Sequence, residues 1–252
     1  MSRRPPSSPL LPALAAQVLG ALPALAALVL VPGLAEIPLL PALAQGACAA
    51  IVSRLQRAPA WWIPIHLGFL PLAVLAARLP VPPAAWLGGF LVLLLVFWRT
   101  DRSRVPLYLS HRIVAECVAG LLPPGGGQVA DLGCGEGGFL ANLSRLRPDC
   151  SFLGVEHAPL PWLVARWRTR DLPNVVIRYG DFWNLDLGPF AAVYAFLSPV
   201  PMARLGEKAA REMGHGALLV SNSFPIPDLA AEDEIQLADP RRSRLYLYRP
   251  GA

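Results

Sequence analysis

The chain has 252 residues, 54% of them hydrophobic and only 15% charged, where an ordinary soluble domain carries roughly a quarter. This excludes a single ordinary soluble domain, and it excludes disorder, which needs low hydrophobicity with high net charge. Residues 1–98 hold five arginines and one glutamate and the remainder holds 17 basic and 16 acidic side chains, so the net +5 is no basic patch on a folded face and nucleic acid is not an expected partner.

Residues 1–9 read as a disordered N-terminus rich in Pro and Ser. Four apolar stretches follow: Leu10–Val31, Leu34–Val52, Trp61–Leu79 and Val81–Trp98. Each approaches the roughly 20 residues a helix needs to cross a bilayer. Prolines 12, 23, 38, 41, 64 and 71 would break soluble helices but are tolerated better between membrane helices. Arg3 and Arg4 precede the first stretch, Arg54 and Arg57 follow the second, and Arg99, Arg102 and Arg104 follow the fourth. The opposite loops carry only Glu36 and Arg78. That asymmetry predicts four spans over residues 10–98 with both termini on the cytoplasmic side. A cleavable signal peptide is disfavoured, because the first apolar region is far longer than a signal's 7–15 residues. His66 is expected to be structural, near the Trp61-Trp62 interface.

After a linker over 99–109 the texture changes to short apolar runs alternating with helical patterns, the mark of a parallel α/β sheet. A lead-in helix is expected over Ser110–Leu122, then strands at Gln128–Leu132, Ser151–Glu156, Val175–Tyr179, Ala191–Ala195 and Ala217–Ser221. Helices are expected between them near 138–146, 161–169 and 201–212. Glu234–Leu237 and Leu245–Tyr248 should close the domain as an antiparallel hairpin around Arg241-Arg242. The four cysteines, Cys48, Cys117, Cys134 and Cys150, show neither paired spacing nor a histidine couple, so no disulfide or metal is expected.

The informative motif is Asp131-Leu132-Gly133-Cys134-Gly135-Glu136-Gly137-Gly138, which follows a strand and opens a helix. Glycines there let the backbone approach a ligand whose charge meets the helix N-terminus. Gly133, Gly135 and Gly138 also satisfy the dinucleotide fingerprint, and Glu156 stands where an acid accepts from ribose hydroxyls. Spacing alone therefore leaves a nicotinamide cofactor and S-adenosylmethionine both open. Three features favour the latter. Asp131 can meet the methionine ammonium, Asp181 can accept from the adenine amino group, and a terminal hairpin is unusual in dehydrogenases.

Val105–Ser110, Asp131–Gly137, Gly154-Val155-Glu156, Pro161-Trp162-Leu163-Val164, Gly180–Trp183, Phe196–Met202 and Ser221–Pro225 occur in that order. Together they resemble the membrane-anchored protein-lysine methyltransferases that include the mitochondrial enzymes acting on ATP synthase c subunit and adenine nucleotide translocase, with bacterial relatives. The resemblance spans Val105 to Phe224 and suggests a bacterial-type member. It implies a Rossmann-like, seven-stranded class I methyltransferase sheet over 110–252, preceded by an all-α transmembrane region. It places cofactor binding on Asp131, Gly133, Cys134, Gly135, Glu156, Asp181 and Phe182. Residues 157–162 are longer than the family's usual segment and residues 196–202 depart from the mitochondrial form, so substrate identity is not carried over.

Methyl transfer from a sulfonium mainly needs alignment, and a lysine acceptor must arrive neutral. Phe182, Trp183, Tyr194 and Phe196 are candidate aromatic walls. Ser198 and Pro199, after the fourth strand, are the candidate acceptor-positioning pair. Glu136 reads as part of a solvated loop face, and His111 and His157 as structural. The leading expectation is a multi-pass enzyme of the bacterial plasma membrane, its catalytic domain cytoplasmic, methylating a lysine of a membrane protein. The alternatives are a methyltransferase for a quinone or lipid, a non-catalytic tethered nucleotide-binding module, and a nicotinamide-dependent reductase.

Overall fold

The computed structural model describes residues 10–96, 98 and 112–250. The expected N-terminal cap, the linker, the Val105–Ser110 segment, Arg99, Arg102, Arg104 and His111 lie outside these residues. The chain divides into two compact units, 1–85 and 86–252.

The first unit is helical. Helix α1 runs Leu10–Leu30, α2 Leu39–Leu55 and α3 Trp62–Ala76, while α4, Pro83–Val96, spans the division. Proline decides the boundaries. The second apolar stretch does not begin as an α-helix: Pro32–Glu36 forms a 3₁₀ turn, and α2 starts only after Pro38. Leu11–Leu30 is the one described segment long and apolar enough to cross a membrane, while α2, α3 and α4 have 17, 15 and 14 residues.

The packing of this unit is inverted relative to a water-soluble bundle. Ala13, Ala16, Ala42, Ala49 and Ala50 are buried, whereas Leu11, Leu14, Val18, Leu22, Leu25 and Ile51 face outward. Contact between helices runs through small residues: a Cβ on Gly20 would stand 2.7 Å from the Ala49 backbone nitrogen, and one on Gly46 2.8 Å from the His66 carbonyl. Gln45, Ser53 and His66 are buried inside. The Gln45 amide donates to Gln17 Oε1 at 2.7 Å, and the Gln17 amide donates to His66 Nδ1 at 3.0 Å. This chain of amides ties α1, α2 and α3 together, and places the neutral imidazole's proton on Nε2. Trp62 stacks on His66, the structural setting expected for it.

The second unit opens with α5, Arg112–Leu121, and then alternates strand and helix: β1 Gly127–Leu132, α6 Gly138–Leu146, β2 Cys150–Glu156, α7 Pro159–Thr169 and β3 Val175–Tyr179. After a 3₁₀ turn at Phe182–Asn184 come β4 Ala192–Ala195, α8 Met202–Glu212, β5 Leu218–Asn222, β6 Asp233–Gln236 and β7 Arg244–Tyr248. The seven strands lie in the order β3-β2-β1-β4-β5-β7-β6. The first five are parallel, and β7 runs antiparallel to both neighbours. The terminal hairpin forms as expected, with Arg242 at positive φ and Ser243 bonded to the Asp239 carboxylate. Pro201 caps α8 from just outside rather than sitting in its first turn.

Central strands are largely apolar because both sheet faces are covered, with Asp131 and Asn222 as buried exceptions near the carboxyl ends. Val129, Phe152, Tyr194 and Val220 pack with Phe139 and Leu143 of α6 and Val114 and Val118 of α5 on one side. Ala130, Leu132, Val155, Val193 and Leu219 pack with Met202, Leu205 and Ala209 of α8 on the other. Chain order reverses between β1 and β4, so the crevice of this sheet opens at the carboxyl ends of those strands, where such folds bind ligands.

Candidate active site

Four strand ends deliver the expected residues to this edge. Asp131 is the penultimate residue of β1 and pairs in register with Gly154 on one side and Tyr194 on the other. Gly133, Gly135 and Gly137, at φ 79, 55 and 75, carry the chain through left-handed conformations that side-chain-bearing residues resist. The N–H groups of Gly133 and Cys134 donate to the Val155 carbonyl at 2.9 and 3.1 Å, pinning the bend against β2.

Glu156, at the end of β2, closes the loop. Its Oε2 accepts from Gly135 N–H at 2.9 Å, and its Oε1 accepts from His157 and Ala158 N–H at 2.8 and 2.7 Å. Three of roughly four acceptor positions on the carboxylate are thereby used, leaving about one for a ligand hydroxyl. Glu156 thus has a structural task that its spacing alone does not suggest.

Asp131 has a different environment. Its side chain is buried, and among the described residues no donor reaches its carboxylate. Burial, followed by the nearby Glu156 charge, pushes its pKa well above the ordinary aspartate range. A buried acid beside a bend of backbone donors, without a partner of its own, fits a cationic ammonium group. Cys134 is turned inward: its Sγ lies 2.7 Å from where a Cβ on Gly154 would stand. Burial, then the two carboxylates, raises its thiol pKa well above normal, so it is an inert packing group that contributes to the loop through its backbone.

Asp181 is exposed and caps the 3₁₀ turn after β3, its Oδ1 accepting from Trp183 N–H at 3.1 Å. The Phe182 ring is buried in the second core beside Leu185 and Leu187. Ser198, three residues past the end of β4, is buried, and among the described residues its Oγ has no hydrogen-bond partner. Pro199 is exposed and begins the turn into α8, its carbonyl facing Met202 N–H at 3.4 Å.

Two readings of side chains change. Tyr194 does not line an open wall: it is 2% exposed, stacks on Phe139 and accepts from Asn222 Nδ2 at 2.8 Å. Glu136 is not merely solvated, because Arg168 of α7 grips it with two bonds of 2.7 and 3.2 Å, tying the glycine bend to the next helix. Trp183 carries Arg204 over its ring at 4.0 Å. Asn222, fully buried at the end of β5, is not a candidate that spacing suggests. Ser223 beside it adopts φ 68 and donates to Asn222 Oδ1, a constrained turn with no spacing signal in the sequence.

Comparison with known proteins bears on the class of this domain. Residues 131–233 match the ANTKMT methyltransferase domain. The chain carries an S-adenosylmethionine-dependent methyltransferase domain. It is 34% identical over 133 residues to the mouse adenine nucleotide translocase lysine N-methyltransferase, a match spanning 50% of this chain and 56% of the mouse protein. The fold is also that of an RNA methyltransferase from Salinibacter ruber, solved with S-adenosyl-L-homocysteine. That likeness has a TM-score of 0.52 at 19% identity and covers 57% of this chain and 94% of the other. The seven-stranded class I methyltransferase sheet is thus the fold of residues 127–248.

Proposed function

We propose that the protein is a membrane-embedded methyltransferase that transfers the methyl group of S-adenosylmethionine to a lysine of a membrane protein. The observation that carries the cofactor assignment is the buried Asp131 carboxylate, near Glu156 and beside the Gly133–Gly137 bend. Asp131 pairs with the ammonium, the free acceptor position of Glu156 takes a ribose hydroxyl, and Asp181 takes the adenine edge. Gly133, Cys134, Gly135 and Phe182 contribute backbone. S-adenosylmethionine supplies an electrophilic methyl on a cationic sulfur. The chain's own work is to hold a neutral amine in line with it.

A lysine amine is protonated in water, and neutralising it at pH 7 costs about 4.6 kcal/mol from its unperturbed pKa. Desolvation beside a cation lowers that cost. Ser198, whose buried Oγ lacks a partner, orients the incoming amine, with Pro199 shaping the turn beside it. The lysine preference draws on the mouse relative, whose name is that of a lysine N-methyltransferase of adenine nucleotide translocase.

The membrane assignment draws on the inverted packing of α1 to α3. Alanines, Gln45, Ser53 and His66 face inward and leucines outward, the arrangement helices adopt in lipid. We place it in a bacterial plasma membrane with the catalytic domain on the cytoplasmic side, from the arginines following the second and fourth apolar stretches. Tethering raises the local concentration of a bilayer-resident target. The same tether suits a lipophilic quinone or lipid as acceptor, the second reading. Incubating membranes that hold the full chain with methyl-labelled S-adenosylmethionine separates them. Lysine transfer leaves acid-stable label in protein, and small-molecule transfer leaves it in the solvent extract. No transfer to either fraction would remove the catalytic reading.

A further inference from the structure

Helix α7 presents an outer face that the core does not use. Leu163, Arg166, Trp167 and Arg170 recur at helical spacing along it, and Leu163 and Trp167 are 53% and 65% exposed. The face extends onto the sheet edge, where Trp162 packs on the half-exposed ring of Tyr179 at 5.3 Å between centroids. Both tryptophans carry guanidiniums: Arg166 lies 5.1 Å over Trp162, and Arg170 lies 5.3 Å over Trp167. Nearby acids neutralise only part of it. Glu136 is taken by Arg168 and exposed Asp171 meets Arg170 at 3.3 Å, while Arg166 has no ionic partner among the described residues.

Exposed tryptophan and leucine beside unpaired arginine is the chemistry of a helix lying at a headgroup interface. The rings sit at the polar boundary and the guanidiniums meet lipid phosphate. Continuity points the same way. The carbonyl of Trp98, two residues past α4, accepts from His157 Nε2 at 3.0 Å, immediately before the turn that opens α7. The chain just past the last apolar helix is therefore held at the start of this face.

We infer that the outer face of α7 rests on the anionic lipid headgroups of the bilayer that holds the chain, a docking that rests on the membrane reading above. The docked face begins at the rim of the methyl-transfer crevice, because α7 starts three residues after Glu156.

The test uses the full chain in lipid nanodiscs, one set of phosphatidylcholine alone and one containing phosphatidylglycerol, with hydrogen exchange followed along α7. Exchange of α7 is expected to be severalfold slower in the anionic discs. The Arg166→Glu/Arg170→Glu variant should exchange there at the zwitterionic rate, with α6 unchanged as a control for the fold. Equal exchange of wild-type α7 in both discs overturns the inference. So does protection that appears in zwitterionic discs only when an acidic membrane protein is added, which would make the occupant a protein. Release of the chain from membranes by alkaline carbonate would instead overturn the membrane reading, and the lipid docking with it.

Discussion

The Asp131 carboxylate sits in a conflict between stability and ligand capture. Folding withdraws it from water, supplies no donor and leaves the Glu156 charge nearby, so the folded protein holds the Asp131 proton at a pH where the unfolded chain has released it. The sign follows from linkage. The native state binds more protons, so stability falls as pH rises from the ordinary value of 3.8 towards the raised one, by about 1.36 kcal/mol per unit. Asp131→Asn has no such proton to lose. Its melting temperature should exceed the wild-type value by a margin that grows with pH across that window, while calorimetry detects no S-adenosylmethionine binding. In the wild type, cofactor affinity should rise with pH over the same window, because only the ionised acid pairs with an ammonium. A melting difference that is flat with pH would mean Asp131 is charged in the free protein. Ser198 allows a cleaner separation. Removing a buried hydroxyl that lacks a partner costs little stability. Ser198→Ala should therefore melt at or slightly above wild type and bind cofactor normally, yet transfer methyl about tenfold more slowly, about 1.4 kcal/mol of lost positioning. Unchanged turnover would take Ser198 out of the site.

Among the elements, those bounded by strong local signals are legible in the amino-acid sequence. Helix α6 follows three left-handed glycines and β3 lies between Asn174 and Gly180, and both run over the residues their patterns suggest. The glycine bend and its acids can be read for the same reason, since one strand, one turn and one helix hold them. Elements set by proline are less legible. The second apolar stretch reads as one continuous span, but Pro32 and Pro38 impose a 3₁₀ turn and delay α2. Partnerships across long separations leave no trace in spacing. Glu136 meets Arg168 over 32 residues, and Gln17 meets His66 over 49. Hydropathy likewise does not reveal which face of an all-apolar helix packs on its neighbour, whereas the close approach at Gly20 does. A valine at position 20 would drive its Cβ into the backbone of α2 at Ala49, where no rotamer relieves it. Gly20→Val should lower the folded yield of the full chain in membranes severalfold, with Leu22→Ala, on an outward-facing position of the same helix, close to wild type. Both measured as monodisperse protein after mild detergent extraction, equal yields would show that α1 and α2 do not depend on this crossing.

At the scale of the whole molecule, the proposed membrane reading makes the number of crossings a question of length against charge. At 1.5 Å per residue, α2, α3 and α4 would reach only about 21–26 Å, short of a hydrocarbon core of about 30 Å. Local thinning and flanking residues that snorkel can absorb a mismatch of that size. Charge favours crossing by all four: Arg54 and Arg57 lie after α2, and only Glu36 and Arg78 lie in the alternate connections. The two possibilities divide at specific residues. With four crossings and a cytoplasmic N-terminus, reporters fused after residues 58 and 252 signal cytoplasm, while those after residues 36 and 79 signal the far side. If α1 alone crosses from the same start, all four reporters signal the far side, and the catalytic unit would lie where S-adenosylmethionine is not made. The four-crossing pattern is therefore the expected outcome, and a far-side signal at residue 252 would contradict both the topology and the proposed supply of the methyl donor.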